Sequence, residues 1–412
     1  MIHIRLVDST LAELSFTARQ TPRAWQEEAL DAWGQNGQRG VVSVVTGGGK
    51  TTFAGQCMLK FESQSTDAHF VIIVPSLALV AQWRAALIAD FGARDEDFST
   101  FGANPRPSRI SILVINSARR LAPVLAAQHE SSMLIVDECH RAGSPENAKA
   151  LGGSYAATLG LSATPVREFD DGFVEYIEPR LGPVIYSYGY QSASAESVIV
   201  RFDLQNILVP LEEDEREKYE RLSKQIARAS AKRIVGSSEP DSNFEILLRR
   251  RARIASMARF RLPTAISLMD AYRKQRVIVF HESISQAGRL LEELRRRGHR
   301  ATIYHSRISA DMRKDNLRMF RQGMFDVIVT CRALDEGANI PEASVAVIVS
   351  GTSSKRQRIQ RMGRVLRPAK GKEAALIITF YSTTVEEKRL ISEAETLPGA
   401  RSIVWLRTER NK

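Results

Sequence analysis

VVSVVTGGGKTT, residues 41–52, runs an apolar β-branched segment into three glycines, a lysine and two threonines. Strand, glycine loop and helix in that order make a cradle for phosphates. Glycines let the backbone come close and adopt unusual φ, and the amino end of the following helix offers free N–H groups and partial positive charge. In such a loop Thr46, Gly47, Gly48, Gly49 and Thr52 surround the phosphates. Lys50 reaches the terminal phosphates of a nucleotide, and Thr51 ligates Mg²⁺. The strict pattern has glycine where Val44 stands, so the match is incomplete. A glycine turn with an incidental lysine is the alternative, and the strand before and the threonine after weigh against it.

Outward from this loop, short β-branched runs recur at 41–45, 70–74, 110–115, 132–137 and 158–162, with helix-compatible segments such as 77–90 between them. The scheme repeats at 276–280, 302–304, 326–330, 345–349 and 374–380, with helices expected at 285–297, 310–322 and 355–366. Alternation of this kind predicts parallel sheets covered by helices. Between the halves lie a charged helix candidate at 212–234, a loop at 236–242, an arginine-rich helix candidate at 244–259 and a third opened by Pro263. The expected organisation is therefore α/β: a first domain over 1–205, a helical connector over 206–275 and a second domain over 276–412.

The 412 residues exceed one ordinary core, and a net charge of +11 points to a polyanionic partner. The arginines of 249–253 could touch a duplex or an acidic partner, with a solvated helix face as the alternative. The 3 cysteines are odd in number and scattered, which excludes a disulfide framework and fits a reducing, cytoplasmic setting. The apolar stretch 71–83 is too short to span a bilayer and contains Pro75, and no membrane role is expected.

A nucleotide site needs an acidic strand end. Residues 133–137 form an apolar run ending in Asp137-Glu138-Cys139-His140. Asp137 at such a position can hold Mg²⁺ through water, and Glu138 can orient the attacking water. His140 reads equally as a buried hydrogen-bonding histidine, and the isolated Cys–His pair lacks the further ligands of a zinc site. A third stretch, QRIQRMGRVLRP at 357–368, repeats arginine every third residue. It reads as a solvated basic helix, a nucleic-acid patch or a set of arginines aimed at a phosphate chain. The glycine loop favours the last.

Residues 46–52, 137–140, 162–164 and 360–367 stand in the order and spacing of the superfamily 2 helicases. Over nearly its whole length the chain resembles the DEAH-type branch holding XPB-like helicases and the motor subunits of type I and type III restriction enzymes. The resemblance implies two tandem RecA-like domains with ATP and Mg²⁺ between them. It implies that Arg23 and Gln26 read adenine, and that Ser76 and Gln82 track a nucleic-acid backbone. By the same likeness Ser162 and Thr164 couple nucleotide to domain closure, Thr330 faces phosphate, and Glu336 and Gly337 lie near the nucleotide. Gln360, Arg364 and Arg367 form the last motif, the two arginines acting as fingers, while Arg358 and Arg361 receive no role and fit solvation. Arg167 and Glu168 match an Arg-Glu-Asp triplet that Phe169 interrupts before Asp170. The implied activity is ATP-driven movement on, or unwinding of, DNA with 3′-to-5′ polarity. RNA, and a nucleotide-gated subunit serving a targeting or nuclease partner, are the alternatives.

Overall fold

The computed structural model describes residues 17–65, 67–101, 106–166, 171–236, 242–331, 340, 343–350, 355–395 and 399–408. The main chain divides into two compact units at Ser187/Tyr188, with the short segment Val45–Gly48 grouped with the second.

The first unit opens with α1 (Ala24–Gln35), β1 (Arg39–Val44), α2 (Lys50–Glu62), β2 (His69–Val74) and α3 (Leu77–Phe91). It continues through β3 (Ile110–Val114), α4 (Ile115–Gln128), β4 (Ser132–Asp137), the single turn α5 (Pro145–Ala148), β5 (Ala157–Ser162), the single turn α6 (Glu178–Leu181) and β6 (Val184–Tyr188). Its sheet has the order β3-β2-β4-β5-β1-β6, and the pairs from β3 to β1 are parallel. Every residue of β4 and of β5 is buried, as expected where helices cover both faces of a parallel sheet. The core on one side joins Val71, Ile73, Leu134 and Val136 to Ala118, Ala122 and Ala126 of α4.

The second unit holds α7 (Tyr190–Ala195), β7 (Arg201–Leu208), α8 (Glu213–Gly236), α9 (Ser242–Ser256), α10 (Arg261–Ala271), β8 (Val277–Phe280) and α11 (Ile284–Arg296). It ends with β9 (Ala301–Tyr304), α12 (Ala310–Arg321), β10 (Val327–Thr330), β11 (Val345–Ile348), α13 (Lys355–Val365), β12 (Ala374–Tyr381), α14 (Thr384–Glu395) and β13 (Ala400–Arg407). Its sheet runs β13-β7-β12-β11-β8-β10-β9, parallel throughout. On α11 the buried residues Ala287, Leu290, Leu291 and Leu294 fall at helical spacing on one face.

Two expectations shift. A first domain reaching residue 205 overruns the division, because β7 pairs residue for residue with β12, from Arg201↔Ala374 to Leu208↔Tyr381. A connector reaching 275 also takes in a helix of the second core. Ala265, Ile266 and Met269 of α10 belong to that core. The buried Arg261 guanidinium donates to the Val349 carbonyl at 2.6 Å and to Glu386 at 2.9 Å. The strands β6, β7 and β13 lie outside the runs read from the sequence; β6 and β13 are short or exposed and carry no clean alternation, and β7 is interrupted by polar Asp203, Gln205 and Asn206.

Candidate nucleotide site

Parallel strands bring their carboxyl ends to one edge of a sheet, and ligands of open α/β sheets bind there. In the first unit that edge collects the end of β1, from which the glycine loop continues, together with Asp137 and Ser162: β5 lies between β1 and β4, with Ser43 level with Ser162 and Asp137 level with Leu161.

The loop takes its shape from glycine. Gly47 and Gly49 have φ of 90° and 100°, a region that side chains with a Cβ avoid. Gly49 caps α2, which starts at Lys50, so free backbone N–H groups of the first helical turn face the loop. Thr46 Oγ1 is buried with no hydrogen-bond partner among the described residues. Thr51 and Thr52 are half-buried in the first turn. These residues suit a phosphate chain and its metal ion: N–H donors at a helix start, an unused hydroxyl and a lysine.

Lys50 Nζ lies 2.8 Å from Glu138 Oε1. Burial works against the Lys50 charge, but Glu138 and Asp137 outweigh it and hold its pKa above the ordinary lysine value. Asp137 is buried, and burial raises its pKa against the pull of Lys50. Its Oδ2 accepts from Trp83 Nε1 at 3.0 Å and its Oδ1 from the Glu138 backbone N–H at 3.0 Å. Trp83 is a functional neighbour that sequence reasoning took only as part of an apolar stretch. Glu138 adopts the left-handed region, φ 49° and ψ 49°, which is uncommon for a residue with a side chain. His140 is buried, 2.9 Å from Ser162 Oγ, which accepts from the Thr164 N–H at 3.1 Å. His140 Nδ1 also lies 3.4 Å from Glu138 Oε2, so Lys50, Glu138, His140 and the turn after β5 are neighbours, with hydrogen bonds at Lys50–Glu138, His140–Ser162 and Ser162–Thr164.

Gln26 is buried in the first turn of α1. Its Oε1 accepts from the Arg23 N–H at 2.9 Å and its Nε2 donates to the Gly49 carbonyl at 3.2 Å, so this side chain fixes the glycine loop. Arg23 itself is exposed. Ser76 caps α3 with its hydroxyl buried and without a hydrogen-bond partner among the described residues, and Gln82 is exposed on that helix. Arg167, Glu336 and Gly337, and the side chain of Gln360, lie outside the described residues.

In the second unit Thr330 ends β10, fully buried, its hydroxyl without a partner among the described residues. On α13 the arginines divide. Arg358 and Arg361, read from sequence as fit for solvation, are buried. Arg358 pairs with Glu393 of α14, and Arg361 Nη2 lies 2.8 Å from Glu282 with its guanidinium over the Phe280 ring. Burying an arginine face requires such partners, and they lie 35 and 79 residues away in sequence. Arg364 and Arg367 are packed near each other. Burial, and then the Arg364 charge, lower the Arg367 pKa to about 10. Removing Arg358 as alanine takes from the buried Glu393 its shorter ion pair and leaves the longer one, to Arg389 Nε at 3.6 Å. A loss of about 3–5 kcal/mol is expected, read by urea unfolding; an unchanged midpoint would show that the pair is not holding α13.

A helix-opening glycine loop tied by a lysine to an acidic strand end on the same sheet edge defines a P-loop nucleotide-binding protein, here followed by a second parallel α/β unit. Residues 19–167 match the family described as type III restriction enzyme, res subunit, and residues 261–369 match the helicase conserved C-terminal domain. The chain belongs to the superfamily 2 helicases, related to the XPB-named enzymes and the restriction motors, a family that uses ATP.

It is 28% identical over 374 residues to the DNA 3′-5′ translocase XPB2 of Sulfurisphaera tokodaii, covering 86% of this chain and 80% of that one. Identity is 24% over 373 residues to the DNA 3′-5′ helicase XPB of Mycobacterium tuberculosis, covering 89% and 61%. The chain spans only 53–61% of the length of four such relatives. Among solved structures it is similar to the type ISP restriction-modification enzyme LlaBIII bound to DNA, at TM-score 0.64 and 14% identity over 95% of this chain and 32% of that one. It is also similar to S. cerevisiae Dbp5 bound to RNA and ADP BeF3, at TM-score 0.61 and 15% identity over 95% and 91%. These two likenesses show the fold. No helix among the described residues is long and apolar enough to cross a membrane.

Proposed function

We propose that the chain is an ATP-driven motor on DNA, moving 3′ to 5′, whose cycle is set by exchange of the Lys50–Glu138 ion pair for contacts to nucleotide. That pair, at 2.8 Å, is the observation that carries the reading. A triphosphate entering the glycine loop competes for the lysine. Once Lys50 turns to phosphate, Glu138 is released to orient and deprotonate the attacking water. Its left-handed backbone aims the carboxylate off the strand end instead of along it. Mg²⁺ held by Thr51 and, through water, by Asp137 would neutralise developing phosphate charge. Trp83 holds Asp137 in place, and Gln26 fixes the loop, with Arg23 contributing to adenine recognition.

The His140–Ser162–Thr164 chain links the state of Glu138 to the turn after β5, a route by which hydrolysis changes the grip on nucleic acid. Ser76, Gln82, Arg167 and Thr330 are proposed backbone contacts, and Gln360, Glu336 and Gly337 complete the nucleotide surroundings. Arg364 and Arg367 are proposed as the fingers that stabilise the transferring phosphoryl group. Two mutually repelling guanidiniums gain most when an anion arrives.

DNA is favoured by the activities in the names of the XPB relatives and by the charge of +11. The test compares ATP hydrolysis with single-stranded DNA, duplex DNA and RNA across a salt series. DNA is expected to stimulate more than RNA, with apparent affinity falling steeply with salt. Stimulation by RNA alone would reverse the substrate assignment, and stimulation by neither would favour a subunit gated by a protein partner. Triplex displacement then separates translocation from strand separation.

A further inference from the structure

We propose that Asp67, His69 and His129 form a binding site for a divalent transition-metal ion of the zinc type, at the edge of the first sheet remote from the nucleotide loop. His69 opens β2 and His129 follows the last residue of α4. His69 pairs level with Ser132, the first residue of β4, whereas Asp137 is the last. Five residues at about 3.3 Å each put the cluster roughly 17 Å from the Asp137 end of the sheet. The ATP chemistry makes no use of it.

The geometry is that of a chelate before closure. One ligand atom from each of the three side chains lies within 4.8 Å of the other two. Ligands on one zinc ion sit at about 2.0–2.2 Å from it, so their mutual spacing is roughly 3.3–3.6 Å and a shift of about an ångström brings these three together. The imidazoles of His69 and His129 are stacked, centroids 3.3 Å apart and planes at 9°. They must open into a wedge so that both lone pairs converge. The exposed Asp67 carboxylate, with Oδ1 3.6 Å from His69 Nδ1, has room to follow.

The chemistry fits as well. His69 Nδ1 lies 3.3 Å from the Asp67 carbonyl, and in the tautomer that donates there the lone pair sits on Nε2, where a metal ion can take it. Among the described residues His129 makes no hydrogen bond through its ring. Burial is the main cause that lowers both imidazole pKa values. The nearby Arg109 charge opposes a cation, but Arg109 is paired with Glu62. Two nitrogens and one carboxylate suit Zn²⁺, Co²⁺, Ni²⁺ or Cu²⁺, whereas Mg²⁺ and Ca²⁺ prefer oxygen alone. The site is thus chemically distinct from that of the metal accompanying ATP, and three protein ligands leave a fourth position for water.

The metal would act as a clip. It joins the connection between α2 and β2 to the connection between α4 and β4, which already touch through Ser65 and Ser131 hydroxyls 2.5 Å apart. The test uses the full chain stripped with chelator and titrated with Zn²⁺ against a chromophoric indicator, with Co²⁺ absorption as a second readout. One tight Zn²⁺ per chain is expected, with a Co²⁺ visible band. His129→Ala and Asp67→Ala should each weaken zinc binding at least about tenfold and abolish that band, with metal-free circular dichroism and Mg²⁺-dependent ATP hydrolysis unchanged. Equal zinc affinity in wild type and His129→Ala, or no stoichiometric uptake by wild type, overturns the proposal.

Discussion

Glu138→Gln is expected to lower ATP turnover by about 10²–10⁴-fold while nucleotide binding is kept or tightened. Glutamine preserves the size of the side chain, but it can neither accept the proton of the attacking water nor hold Lys50 by charge. In the wild type that charge sits 2.8 Å from Nζ and competes with phosphate for the same ammonium. The substitution therefore removes the base and frees the lysine together. Lys50→Ala differs, since it weakens binding and turnover at once. Single-turnover hydrolysis with equilibrium titration of a fluorescent nucleotide separates the two. Turnover in Glu138→Gln within about threefold of wild type, or binding that falls in step with turnover, would sink the proposed role.

The second large effect lies on α13. Arg364→Ala is expected to reduce hydrolysis by about 10³–10⁵-fold, with chemical stability near that of the wild type and salt-dependent DNA binding changed far less. The contrast with Arg358, three positions on the other side of Arg361, is the point of the experiment. Arg358 answers to Glu393 and Arg361 to Glu282, so their removal should appear in unfolding curves. Arg364→Ala should appear in the chemical step. If DNA binding collapses while hydrolysis survives, the arginine serves nucleic acid and the finger assignment fails.

Why the sequence separates some of these residues and not others follows from the range of the interactions. The glycine loop and the acidic strand end are local patterns: a buried run, a turn that tolerates positive φ, and a helix start within a dozen residues. They are legible because the chain neighbours that shape them are also the sequence neighbours. The arginines of 357–368 are identical in type and evenly spaced, and nothing local tells which of them are pinned to acids. Arg361 and Arg358 are pinned by Glu282 and Glu393, which only the tertiary fold brings to them.

Trp83 hides for the same reason. An indole in an apolar helix reads as core, and its N–H meets Asp137 only because β2 and β4 are neighbours. The domain division moved because a strand's sheet is decided by its hydrogen-bond partner, and β7 has both of its partners far along the chain.

That separation matters while the protein is being made. The register pairs Arg201 with Ala374, so 374 − 201 = 173 residues are added before β7 meets β12, and β13 arrives later still. At ~5–20 residues per second, β7 waits roughly 9–35 s on the ribosome with neither flank covered. Its Phe202, Leu204 and Ile207, destined for burial, stay in the open through that interval. An unpaired apolar strand is a template for pairing with other chains. One exposure of the chain to aggregation therefore falls within its own translation, where elongation rate and chaperone supply act before any folded-state stability applies.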